Sequence, residues 1–158
     1  MKKLLLITVA IIVALDQWTK IYIKSNFEMY ELRPVIDGFF SITYVLNPGA
    51  AFGMLAELNE SYRQLFFVII TTVAILAVIY LMVKEQHLKM RLASYTLILA
   101  GAIGNFIDRV YMGKVVDFLH FYYEQYQWPA FNVADISISV GISLLFLDYI
   151  ILKKRDER

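Results

Sequence analysis

Residues 64–83 read QLFFVIITTVAILAVIYLMV, twenty positions without a charged side chain, closed off by Arg63 and Lys84. As an α-helix rising about 1.5 Å per residue, such a stretch covers about 30 Å, the thickness of a bilayer's hydrocarbon core. Three further apolar runs flank it. Leu4 to Ile23 is interrupted in its last third by Asp16 and Lys20. Leu92 to Met112 is uncharged as far as Ile107 and then carries Asp108 and Arg109. Ile136 to Leu152 is broken only by Asp148. Of the 158 residues, 59% are hydrophobic and 18% charged, and a mean hydropathy of +0.59 is too high for an ordinary soluble domain. The expectation is an α-helical polytopic membrane protein, with four transmembrane helices at approximately 4–23, 64–83, 92–112 and 136–152. Four spans use about half of the chain. One small extramembrane layer fits in the remainder and a second soluble domain does not, so residues 1–158 read as a single membrane domain.

Composition also excludes chemistry. Fifteen Lys+Arg against 14 Asp+Glu leave +1, which gives no footprint for nucleic acid. Without cysteine there is no disulfide framework, thiolate nucleophile or Cys-ligated metal. His87 and His120 lie far apart, with no H-E-x-x-H motif. Neither a metal nor an organic cofactor is expected.

Lys2 and Lys3 before an apolar run also describe a signal peptide. No small-x-small cleavage site follows, and the run resumes after Lys20 with Ile21, Tyr22 and Ile23, so a retained helix is expected. The positive-inside rule sets orientation. Lys2, Lys3, Lys84, Lys89, Arg91, Lys153, Lys154, Arg155 and Arg158 fall on one side in very short segments; Lys20, Lys24, Arg33, Arg63, Arg109 and Lys114 fall on the other. The first side should be cytoplasmic, with both termini inside.

The two connections on the other side carry their own patterns. Glu31 to Ile36, the turn Asp37-Gly38 and Phe39 to Leu46 read as a β-hairpin within approximately residues 31–52. Phe40, Ile42, Tyr44 and Leu46 share one of its faces, while Ser41 and Thr43 point the other way. Such a ribbon would lie on the membrane surface or over a site. The second connection holds Val115-Val116 and aromatics (Phe121, Tyr122, Tyr123, Tyr126, Trp128) that suit the interfacial belt.

Ionisable groups in a helix bundle are expensive and mark function by default. Asp16, Lys20, Asp108, Arg109, Asp117 and Asp135 should all gather near the outer face, brought from separate elements. Asp16 and Lys20, four apart, can pair on one helical face, as a site feature or as a neutralised anchor. Gly101, Asn105, Asp108 and Met112 share a face of the third span, and Gly101 and Gly104 permit close approach by a neighbouring helix. Asn105 and Arg109 suit a polar clamp, Arg109 pairing with neighbours of Asp108 or an outer carboxylate. Asp117 and Asp135 sit among apolar residues. Brought together they would share a proton and could act as one base and one acid across a water; kept apart they would be solvated or capping aspartates. Gly141-Ile142-Ser143 lacks the second glycine of a rhomboid serine motif. His87 reads as a solvated loop residue, and His120, though near Asp117, as an interfacial one.

Five motifs occur in order: Asp16-Gln17-Trp18-Thr19-Lys20, Asn47-Pro48-Gly49-Ala50-Ala51-Phe52, Gly101-Ala102-Ile103-Gly104-Asn105-Phe106-Ile107-Asp108-Arg109, Val115-Val116-Asp117-Phe118 and Phe131-Asn132-Val133-Ala134-Asp135. Together they resemble the lipoprotein signal peptidases (signal peptidase II), bacterial membrane aspartyl proteases, over essentially the whole chain and without departure at a motif position. The resemblance implies that Asp117 and Asp135 form a catalytic dyad. Asp16, Lys20, Asn47, Gly49, Asn105, Asp108, Arg109 and Asn132 would shape the site or contact substrate, and the hairpin would be a small extracytoplasmic β-cradle resting on the membrane. It further implies a bacterial cell membrane location, with the site toward the extracytoplasmic face. The substrates would be prolipoproteins carrying a diacylglyceryl-cysteine, cut just before that cysteine, with membrane lipids as surroundings. From another class, a small transporter or channel subunit could use the carboxylates as a proton relay, but such a relay would be spread through the membrane depth with pseudo-repeats.

Overall fold

The computed structural model describes residues 2–49, 59–85 and 88–156. There are four helices, α1 (Lys2–Asn26), α2 (Glu60–Lys84), α3 (Lys89–Met112) and α4 (Val133–Asp156); strands β1 (Leu32–Ile36) and β2 (Phe40–Asn47) lie between α1 and α2, and β3 (Val115–Tyr123) and β4 (Tyr126–Gln127) between α3 and α4. Each helix is long and apolar enough to cross a membrane. The expected class, four membrane helices with a small antiparallel sheet, is the one observed. The end of the expected hairpin at residues 50–52 and His87 lie outside the described residues.

α3 is the central helix and packs against α1, α2 and α4, whereas α2 has no buried residue and is peripheral. Lipid gives apolar helices little reason to prefer one another over acyl chains, so small residues and polar contacts must hold the bundle. The α3–α4 seam shows both. A Cβ on Gly101 would collide with the carbonyl oxygen of Ala134, and one on Gly141 would meet the Ser94 carbonyl and the Ile98 side chain. Ser137 Oγ donates to the Leu97 carbonyl at 2.8 Å, and Arg91 Nε donates to Asp148 Oδ2 at 2.7 Å near the far end.

At the opposite end the two long connections meet. β1 pairs with β2 through a turn with Gly38 at φ +75°, β2 pairs with β3, and β3 with β4, all antiparallel. Ile42, Tyr44 and Leu46 pack with Ile23, Val116 and Phe118, joining sheet to helices, while Ser41 and Thr43 point to the other face and are buried there. The second connection is therefore a strand of this sheet and not only an aromatic belt. Tyr123, Tyr126 and Trp128 are exposed, but Phe121 stacks between Phe40 and Phe131. Its strand character is hidden in the sequence because Val115 to Phe118 are all buried, so no alternation of period two appears.

Gly101→Leu should drive a side chain into the backbone of α4. We expect a loss of about 1–3 kcal/mol, the usual cost of overpacking, read as a lower thermal unfolding temperature in detergent. Unchanged stability would mean that the seam does not depend on this contact.

Candidate active site

The end of the bundle beneath the sheet is built around one buried cation. Lys20 is 2% exposed, and its Nζ contacts Asp16 Oδ2 at 2.9 Å, Asp108 Oδ2 at 3.0 Å and Asn105 Oδ1 at 2.9 Å. An ammonium has three donors, and all three are used. Each oxygen of the two carboxylates also has a partner. Asp16 Oδ1 accepts from the Ala134 N–H at 2.9 Å, Asp108 Oδ2 from the Val116 N–H at 3.1 Å, and Gln17 Nε2 reaches both carboxylates and the Gly104 carbonyl. Gly104 is required here, because a Cβ would stand 2.6 Å from Asp16 Oδ2. The Asp16–Lys20 pair expected on α1 therefore exists, but as part of a three-element network.

The cation fixes the next residue. With its oxygen held by Lys20 Nζ and by Asn132 Nδ2 at 3.2 Å, Asn105 must turn its amide nitrogen outward, and this donates to Asp135 Oδ1 at 2.7 Å. Asp135 is the third residue of α4 and forms a reciprocal cap with Asn132. The Asp135 N–H donates to Asn132 Oδ1 at 2.9 Å, and the Asn132 N–H donates to Asp135 Oδ2 at 3.3 Å. α4 thus starts at Val133, ahead of the apolar run, because this cap supplies partners for its first turn.

Asp117 arrives from β3. Asn132 Nδ2 donates to its Oδ1 at 2.7 Å, and Asn47 Nδ2 to its Oδ2 at 2.9 Å. The Asn47 amide is oriented as Asn105 is, through its oxygen, which accepts from the Gly49 N–H at 2.8 Å. Gly49 has φ +84°, and a Cβ there would strike the Phe67 ring. Burial pushes the Asp117 carboxyl up to about 7. The Asn47 and Asn132 hydrogen bonds work against that rise, and the charge of Asp135 adds to it. A single residue, the fully buried Asn132, therefore touches both aspartates.

Arg109 departs from expectation. Among the described residues it makes no ion pair, and its guanidinium lies 5.7 Å over the Phe67 ring, within the field of Asp135 and Asp117. Consecutive helical residues project about 100° apart, so Asp108 faces Lys20 on α1 while Arg109 faces α2. Of Asn105 and Arg109, Asn105 is the one that bonds a carboxylate. Gln17, Gln64 and Phe67 were not foreseen as site residues. Gln17 had a signal, a further polar side chain between Asp16 and Lys20 in a membrane span; Gln64 Nε2 caps the Arg109 carbonyl at 3.0 Å and had none.

Over residues 8–151 the chain matches the family described as Signal peptidase (SPase) II. It is 47% identical to the lipoprotein signal peptidase of Syntrophus aciditrophicus over 93% of this chain and 92% of that protein. To the lipoprotein signal peptidase of Geobacter sulfurreducens it is 49% identical, over 91% and 87%. Its fold is similar to a bacterial membrane enzyme solved by the in meso method, with a TM-score of 0.84 and 34% identity over 99% of this chain and 92% of that one.

Removing one member of a buried ion set leaves the others uncompensated. Lys20→Met should cost about 3–5 kcal/mol, and adding Asp16→Asn and Asp108→Asn should recover much of that loss. Thermal unfolding in detergent measures both; no recovery in the triple variant would mean that Lys20 acts through packing rather than charge.

Proposed function

The chain belongs to the signal peptidase II family, a family of aspartic proteases, and on that premise we propose that Asp117 and Asp135 are the two carboxyl groups that cut its substrate. The protein is a multi-pass bacterial membrane protein that removes signal peptides from prolipoproteins. The observation that carries the assignment is the double grip of Asn132, side chain on Asp117 and backbone on Asp135.

In this reading Asp117 holds the shared proton, because burial, with the charge of Asp135 beside it, pushes its carboxyl up to about 7. Asp135 takes a proton from the water that attacks the scissile carbonyl. Asp117 hydrogen-bonds the developing oxyanion and then supplies a proton to the leaving amine. Asn47, Asn105 and Asn132 hold the two carboxylates; Asp16, Lys20 and Asp108 hold Asn105 in turn; Gly49 admits the turn that orients Asn47. Arg109, over the Phe67 ring, feels the charge of both aspartates without pairing with either and is suited to substrate contact. The bond cut lies just before a cysteine that carries diacylglycerol, because a substrate anchored by acyl chains presents that bond at the membrane interface. The sheet end faces the extracytoplasmic side and both termini the cytoplasm, on the Lys and Arg asymmetry. A proton relay through the membrane is not favoured. The carboxylates of the site cluster at one end, and at the other Asp148 is paired with Arg91.

Aspartate→asparagine keeps shape and removes the titratable proton. Asp117→Asn and Asp135→Asn should each abolish release of signal peptide from a diacylglyceryl-modified substrate, with the double variant no worse, because members of one catalytic unit are not additive. Turnover by either folded single variant would remove that residue from the chemistry. Activity should be bell-shaped in pH. Its alkaline limb should fall near 7, where Asp117 loses the proton it needs as acid; a plateau through pH 9 would contradict the assignment. For orientation, Asp37→Cys should react with an impermeant thiol reagent on intact cells and Lys89→Cys should not. The reverse pattern would invert the topology.

A further inference from the structure

Beside Asp117 lies a cavity of about 670 Å³ whose described lining comes only from residues 30–48 and 117–130, none of them in a helix. It covers the sheet face that carries Thr43 and Val45, and His120 shares it with Asp117. Under strict alternation Asp117 and His120, three apart, would point to opposite faces. They do not, because β3 is irregular between them. The Phe118 and Leu119 N–H groups both donate to the Phe131 carbonyl, at 3.0 and 2.9 Å, and both side chains pack into the core beneath the sheet. With two consecutive side chains, Phe118 and Leu119, turned to the core, His120 comes back to the Asp117 face.

The His120 ring is also held in place. It stacks on Tyr122 at 5.4 Å, and the Tyr122 hydroxyl accepts a hydrogen bond from Ser41 Oγ at 3.1 Å. Yet its Nδ1 is buried and is, among the described residues, the one buried side-chain nitrogen or oxygen without a hydrogen-bond partner. Such an atom is costly unless a ligand supplies the missing partner.

We propose that His120 Nδ1 hydrogen-bonds the main chain of the mature polypeptide that follows the lipidated cysteine, making His120 a substrate-binding residue of the peptidase; the inference rests on the function proposed above. The apolar part of a signal peptide and the acyl chains belong among helices and lipid. A cavity lined only by the extramembrane connections suits the one substrate segment that leaves the membrane. Asp117 and His120 are three residues apart on β3, so the contact falls about three residues from the cut bond.

Two diacylglyceryl lipopeptides test this, one ending directly after the cysteine and one extending well past the third following residue. Wild-type protein should show a KM about three- to tenfold lower for the longer one, the worth of one hydrogen bond. His120→Phe keeps the ring and its stacking but removes both nitrogens. It should erase that advantage with kcat and thermal stability preserved, and leave the short substrate unaffected. Equal wild-type KM values, or an equal penalty on both substrates, would overturn the proposal. If His120→Phe does not fold, His120→Gln and the wild-type comparison still decide it. Should wild-type protein cleave neither lipopeptide, the peptidase reading fails; binding of the two to Asp135→Asn protein, with and without His120→Phe, then tests the His120 contact separately.

Discussion

The Lys20 ammonium, buried with Asp16 and Asp108 at one end of the bundle, is the contact on which the site depends. A buried charge is tolerated only when paired and fully hydrogen-bonded, and the partners that meet this demand come from four elements of the chain. Asp16 belongs to α1, Asp108 and Asn105 to α3, and the N–H groups that complete the carboxylates to α4 and β3. Satisfying one cation therefore fixes the relative positions of the elements that hold the aspartates.

The same demand sets the orientation of amides. An asparagine side chain can be turned either way around at almost no intrinsic cost. Lys20 removes the choice for Asn105 and the Gly49 N–H removes it for Asn47, so both present an amide nitrogen to a carboxylate. Asn132 goes further, capping α4 with its oxygen while its nitrogen reaches Asp117. Positioning is achieved with neutral donors. Full-charge partners next to the dyad would hold both aspartates ionised and leave no proton to share. Arg109 fits this pattern, since it lies over Phe67 rather than in an ion pair.

Membrane packing and the site are one construction. Gly101 and Gly104 let α4 and α1 approach α3 closely enough for Asp16 to meet the first turn of α4. The irregularity in β3, which spoils its regular pairing, is also what puts Asp117 and His120 on one face. Regular elements would have separated these groups.

The sequence by itself determined the four helices, because long, nearly uncharged apolar runs must satisfy their backbone hydrogen bonds within themselves in lipid, as a helix does, and it determined the first hairpin, because Asp37-Gly38 and the Phe40 to Leu46 alternation are local signals. It also picked out Asp16, Lys20, Asp108, Asp117 and Asp135, since ionisable groups near a bilayer are conspicuous by cost alone, and the ordered motifs identified the family. Only the tertiary structure decided which groups touch. Spacing gave Asp16 one partner, yet its carboxylate also caps a helix that begins more than a hundred residues later. Spacing offered Arg109 a carboxylate and the fold faced it to an aromatic ring. β3 escaped notice because burial on both faces erases the period-two pattern. Hydrogen bonds between elements distant in sequence leave no periodicity, so the directions of Asn47, Asn105, Asn132 and His120 are properties of the assembled fold.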